Sequence, residues 1–176
     1  MEVDSLDSIG TMGMNISDYY NMTGNKEALP LLNTLLNRAK TLVPRKPDGS
    51  FYRVKTMWAD DIYMSCPFLA RIGKITGDES CFDEVALQLK NYKKWLWMED
   101  KQLFSHIYFT DTQQANRIPW GRGNGWIFLT LSDILQIIPE THKDFEFLLE
   151  LYKEFASGIL NHFDREEKMW HQVISM

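Results

Sequence analysis

Eight residues in the middle of the chain, Pro119-Trp120-Gly121-Arg122-Gly123-Asn124-Gly125-Trp126, gather two indoles and a guanidinium among three glycines, just ahead of an apolar helical pattern. Such a set suits an acidic sugar. Glycine lets backbone and ligand approach closely, an indole face covers the apolar side of a pyranose, and arginine grips a carboxylate through two parallel hydrogen bonds. Upstream, Trp58-Ala59-Asp60-Asp61 repeats the theme with acids in place of the guanidinium. Carboxyl groups at a helix start can do general acid/base work, and Asp7, near the start of the first helix, supplies another. His106 alternates with Phe104 and Tyr108 in an extended stretch and adds a side chain that titrates near neutral pH.

These residues need a scaffold, and the composition supplies one. At 176 residues, 44% hydrophobic and 13% aromatic, residues 1–176 suffice for one globular domain with its own core. A net charge of −5 with the signs interspersed leaves no basic stripe for a nucleic-acid backbone. No apolar run approaches the ~18 residues that a membrane span needs, so the expected partner is a small molecule or another protein segment. Cys66 and Cys81 lack a CxxC or Cys/His spacing and read as buried thiols rather than a metal set or a disulfide. Met64 stands where a magnesium motif beginning at Asp60-Asp61 would place its third acid, so neither metal nor cofactor is expected. Met1 to Asp4 lacks the basic and apolar regions of a secretory leader, which makes the cytoplasm the expected compartment.

Apolar periodicity predicts helical hairpins separated by long aromatic loops. The first pair runs from about Leu6 to Met22 and from Lys26 to about Val43, the second from Asp60 to Ile75, kinked at Pro67, and from Ser80 to about Met98. The third runs from Gly125 to Ile138 and from Lys143 to His162. Thr23-Gly24 and Thr76-Gly77, both helix stops, lie 53 residues apart, and Phe51 and Phe104 share that separation. In each pair the first helix is apolar nearly all round and the second has one polar face, which predicts an inner and an outer ring. The expected fold is all-α, an α/α toroid of the six-hairpin type. It would place Asp7, Asp60 and Arg122 at equivalent inner-helix starts, at one mouth of the ring. Three hairpins form only half of such a ring, so open apolar flanks, self-association or a missing barrel half are expected.

Met57-Trp58-Ala59-Asp60-Asp61-Ile62-Tyr63-Met64-Ser65-Cys66-Pro67-Phe68-Leu69-Ala70, followed by Ile75-Thr76-Gly77-Asp78, resembles the unsaturated glucuronyl and rhamnogalacturonyl hydrolases, glycoside hydrolase families 88 and 105. The family 105 branch is the closer match. The resemblance runs from Ser5-Leu6-Asp7-Ser8-Ile9 through the Trp120 to Trp126 motif to Met169-Trp170-His171-Gln172-Val173. It implies a hydrolase acting on lyase-generated oligosaccharides with a 4,5-unsaturated uronic acid at the non-reducing end, by hydration of the double bond and without a cofactor. It further implies Asp60 as acid/base, Asp7 as its acidic partner with Asp61 as the rival for either role, and Trp58, His106, Trp120, Arg122 and Trp126 as substrate-binding residues. Members are roughly twice as long. The alternatives are a half-barrel that binds sugar without turnover, and a conventional toroid glycosidase with two carboxylates across the anomeric bond.

Overall fold

The computed structural model describes residues 5–174, so Met1 to Asp4, on which the compartment expectation rested, lie outside the described residues. The first helix, α1 (Leu6–Thr23), opens on Ser5, whose side chain accepts the Ser8 N–H, and closes on Gly24 in the left-handed conformation. Its partner is α2 (Ala28–Thr41). The second pair is α3 (Asp60–Tyr63) with α4 (Cys66–Thr76), followed by α5 (Ser80–Leu96), and Gly77 at φ 72° closes α4 as Gly24 closes α1. The third is α6 (Gly121–Ile134) with α7 (Phe145–Asn161). Helices α1, α3 with α4, and α6 pack side by side, and α2, α5 and α7 back them. This is the inner and outer layering that the periodicity predicts.

Glycine makes the seam between the first two inner helices possible. A Cβ on Gly10 would lie 1.7 Å from the Met64 carbonyl oxygen, and one on Gly13 would lie 2.4 Å from the Phe68 ring. Only a residue without a side chain lets these backbones approach so closely. Around the seam, Ile9, Leu32, Leu35, Phe51, Met57, Ile62 and Phe68 are buried in one core that also takes in Leu131 and Phe155 from the third pair. Cys66 and Cys81 lie in this interior, where burial pushes their thiols up to about 12 and about 11. Among the described residues no helix is long and apolar enough to cross a membrane.

Three expectations change. The single kinked helix over Asp60 to Ile75 is two helices, because Pro67 has no N–H and its ring clashes with the carbonyl four residues back, which belongs to Tyr63, the last residue of α3. Ser65 bridges the break, its hydroxyl donating to the Asp61 carbonyl at 2.6 Å. The glycine-rich motif is the first turn of α6, beginning at Gly121, rather than a loop ahead of a helix at Gly125. Low glycine propensity is overridden there by packing: Gly121 donates its N–H to Gln172 at 2.7 Å, and a Cβ on it would meet the His171 carbonyl at 3.0 Å.

The fold is mostly helical, as expected of an α/α toroid, but carries short strands that the periodicity does not predict. Two small antiparallel sheets join the helices, one ordered β1 (Thr56–Trp58), β4 (Ile107–Phe109), β5 (Gln114–Ala115), the other pairing β2 (Trp97–Met98) with β3 (Leu103–Phe104). The aromatic repeats mark tight returns after each outer helix, paired at Arg45 with Phe51, Trp97 with Phe104, and Asp164 with Met169. The first two returns bring the chain back to the next inner helix.

Candidate active site

The sheet sets the site. Trp58 pairs with Ile107 across β1 and β4, and the Ala59 N–H donates to the His106 carbonyl at 2.9 Å. Asp60, the first residue of α3, and His106, just before β4, are thereby delivered to the same point: Asp60 Oδ2 lies 3.1 Å from His106 Nε2. Both side chains are only 14% exposed, dry enough to strengthen their interaction yet still open to a ligand. Desolvation holds the His106 imidazole below its ordinary value, assisted by Arg122 and opposed by Asp60, so the ring is neutral at neutral pH.

Rings and cations extend from this pair in one continuous row. The Trp58 indole meets His106 edge-on with centroids 5.0 Å apart, and Trp120 lies tilted against His106 at 4.4 Å. The guanidinium of Arg122 stacks 4.0 Å above Trp120 at one end, and that of Arg53 lies 5.7 Å from Trp58 at the other. Thr56 holds the Trp58 indole N–H at 2.9 Å. Gly123 adds no side chain, and its face of α6 packs directly against His106 and Trp120.

Asp7 joins this row through a residue that the sequence reading does not single out. Arg53 Nη2 lies 3.1 Å from Asp7 Oδ1 and 2.8 Å from Asp61 Oδ1, while its Nε donates to the same Asp61 oxygen. Nothing local marks Arg53, because its partners lie 46 and 8 residues away in sequence and meet it only through the fold. Asp61, the rival for the acid roles, is 1% exposed and also accepts from the Trp58 N–H at 3.3 Å and the Tyr92 hydroxyl at 3.4 Å. Burial pushes its carboxyl up against the pull of Arg53, and its four donors mark an internal anchor for the α3 turn.

Trp126 stands one turn below Arg122 and stacks on Tyr63 at 4.3 Å, with 24° between the planes. Tyr63 is a second residue missed, although its position three after Asp60 on one helix places it on the same face. Two hollows flank the row. One of about 230 Å³ is lined by Ser5, Leu6, Asp7, Tyr52 and Arg53, and the other, about 540 Å³ and mostly apolar, by Arg122, Phe128, Met169 and Trp170. Among the described residues no three His, Cys, Asp or Glu side chains converge as a metal set would.

Comparison with known proteins identifies the family. Glycosyl Hydrolase Family 88 matches residues 1–176. An unsaturated 3S-rhamnoglycuronyl hydrolase of Alteromonas sp. (strain LOR) is 30% identical over 128 residues, covering 67% of this chain and 29% of that protein. The unsaturated rhamnogalacturonyl hydrolase YesR of Bacillus subtilis (strain 168) is 29% identical over 118 residues, 66% of this chain and 34% of its own length. The chain thus matches about a third of the length of these curated relatives. Among solved structures, a family 105 glycoside hydrolase of C. acetobutylicum ATCC 824 superposes with a TM-score of 0.88 at 24% identity, over 98% of this chain and 51% of that one. A possible family 105 member from Salmonella enterica follows with a TM-score of 0.83 at 23% identity, over 93% and 46%. A match that runs the full length of the chain, on a fold that pairs Asp60 with His106 at an inner-helix start, places the protein in Glycosyl Hydrolase Family 88.

Proposed function

We propose that this chain carries the acid/base site of a hydrolase that releases a 4,5-unsaturated uronic acid from the non-reducing end of lyase-generated oligosaccharides. The observation behind this reading is the Asp60–His106 pair at 3.1 Å, walled by Trp58 and Trp120 and faced by the Arg122 guanidinium. The C4=C5 bond of such a sugar is a vinyl ether. Protonated Asp60 gives its proton to C4, positive charge develops at C5 and the ring oxygen, and water adds at C5 as Asp60 recovers a proton from it. The hemiketal then opens, and the remainder of the sugar leaves from C1. Neutral His106 hydrogen-bonds Asp60 through the cycle and keeps it oriented. Arg122 holds the uronate carboxylate while Trp120 and Trp126 face the ring. Asp7, steadied by Arg53, is the second acid. The names of the two curated relatives favour a rhamnose-linked aglycone.

In the active ring the three hairpins are half of six, and the remaining wall of the pocket faces the concave side of this arc. Support comes from solved relatives about twice as long and from the exposed apolar side chains of the end pairs.

The test is loss of the ultraviolet absorbance of an unsaturated uronyl disaccharide. An Asp60→Asn variant is expected to slow it by roughly 10²- to 10⁴-fold, and turnover at the normal rate would remove Asp60 from its role. Running the reaction in D2O separates this chemistry from a conventional glycosidase. Hydration delivers deuterium to one face of C4 from the enzyme's acid, whereas attack at the anomeric carbon releases a free enol that takes deuterium on either face of C4 in solution.

A further inference from the structure

Asn124 is fully buried on α6, two residues from both Arg122 and Trp126 and on the opposite face of the helix, and its amide is not spent within its own helix alone. Its Oδ1 accepts the Phe104 N–H at 2.9 Å, and its Nδ2 donates to the Phe104 carbonyl at 2.8 Å and to the Trp120 carbonyl at 3.1 Å. The side chain therefore pairs with β3 as a neighbouring strand would, two residues before His106. On its other side β3 pairs with β2, with Phe104 opposite Trp97. One amide thus ties the helix bearing Arg122, Trp126 and the Trp120 junction to the strand that delivers His106.

We infer that Asn124 is the positioning residue of the site, setting the distance between His106 and the α6 end that carries Arg122, and so the seat in which His106 meets Asp60. This rests on the reading of Asp60 and His106 as the acid/base pair, but the geometry can be tested without turnover. The second strut of the same loop shows that it is built to hold position. Asn116 Oδ1 accepts from the Ser105 hydroxyl at 2.7 Å and from the Ile118 N–H at 3.1 Å, and Ser105 in turn accepts the Arg117 N–H at 2.9 Å. With Asn116 bracing the loop from the outside, Asn124 is its brace from the helix side. A small displacement there matters, since an error of about 1 Å in a positioned group can cost about 10²-fold in rate.

The experiment compares Asn124→Ala with Thr130→Ala, a buried polar control on the same helix whose hydroxyl bonds only the Trp126 carbonyl four residues back. The His106 imidazole is followed by NMR as pH is varied, alongside kcat and KM for an unsaturated uronyl disaccharide. The charged groups facing this ring are Asp60 from α3 and Arg122 from α6; its other neighbours are Trp58 on β1 and Trp120. In Asn124→Ala the His106 resonances shift, the ring's titration midpoint rises toward the ordinary imidazole range, and kcat falls about tenfold or more while KM changes less. Thr130→Ala shares the loss of thermal stability, but its His106 signals and kcat stay as in the parent. If Asn124→Ala does not fold, Asn124→Asp replaces it, keeping an acceptor for the Phe104 N–H and setting a carboxylate oxygen against the Phe104 carbonyl, with the same displacement of His106 expected. A folded Asn124 variant with unchanged His106 resonances overturns the inference. If the parent itself shows no turnover, the proposed activity fails, and the His106 spectrum alone decides the role of Asn124.

Discussion

At the scale of single residues, the site assigns different partners to Asp60 and Asp7: Asp60 meets a neutral imidazole, and Asp7 meets a guanidinium. The His106 side of this arrangement has a thermodynamic signature. Its imidazole titrates lower in the folded protein than in the unfolded chain, so below the unfolded value near 6.5 the unfolded state binds more protons and stability falls as pH falls. Thermal melts from pH 7 down to pH 5 are expected to show that slope, and a His106→Gln variant is expected to flatten it; an unchanged slope would show that other groups set it. Arg53 has a different signature. Replacing it with leucine leaves the buried Asp61 carboxylate without its cation, and urea unfolding should lose about 2–3 kcal/mol, below the usual cost of breaking a fully buried pair because Arg53 is part-exposed. An Arg53→Lys variant should recover part of that loss, since a point charge replaces a fork.

At the scale of elements, the contacts of α1 and α6 depend on glycines that helix propensity would count against them. A Gly10→Ala variant drives a methyl group into the Met64 carbonyl and should destabilise the fold by about 1–3 kcal/mol in thermal or urea unfolding. Gly125→Ala, on α6, meets nothing within 4 Å and should be neutral or slightly stabilising, so a loss equal to that of Gly10→Ala would contradict the packing described. Periodicity placed α1 and α2 to within about two residues of their observed ends, and the Gly24 and Gly77 stops were legible because a left-handed cap has a local signature. What was not legible depends on partners distant in the chain. The α6 start at Gly121 requires Gln172, the extended Trp97–Met98 requires Leu103 and Phe104, and the role of Arg53 requires Asp7. Asp60, His106, Trp120 and Arg122 were legible as a set because their motifs are distinctive, whereas Tyr63 and Asn124 carry no signal until Trp126 and Phe104 are placed against them.

At the scale of the whole molecule, exposed apolar side chains are distributed unevenly. On the helices themselves, α4 and α5 show only Leu87 among the large exposed apolar residues, whereas α1 and α2 show Met12, Tyr19, Met22 and Leu31, and α6 and α7 show Leu129 and Leu160; the returns add Leu42 and Val54, Phe109 and Ile118, and Met169 and Trp170 in turn. An arc whose middle is covered and whose ends are not favours burial of those ends against other protein. Light scattering over a range of concentrations should detect association, and a Met22→Lys, Leu160→Lys double variant should reduce it while leaving the melting curve of the dilute protein close to the parent's. Equal scattering from both would place the contact elsewhere.

The break at Met64 and Ser65 separates a four-residue turn bearing Asp60 from the long helix behind it. That turn takes its bearings from Arg53, Tyr92 and the Trp58 backbone through Asp61, and α4 is not a rigid extension of it. The joint separates two bearings: the partners of Asp61 set the direction of the turn that carries Asp60, and packing against α1 and α5 sets the axis of α4. The aim of Asp60 on His106 is therefore set locally, by the sheet and by Asp61, and not by the line of the long helix behind it.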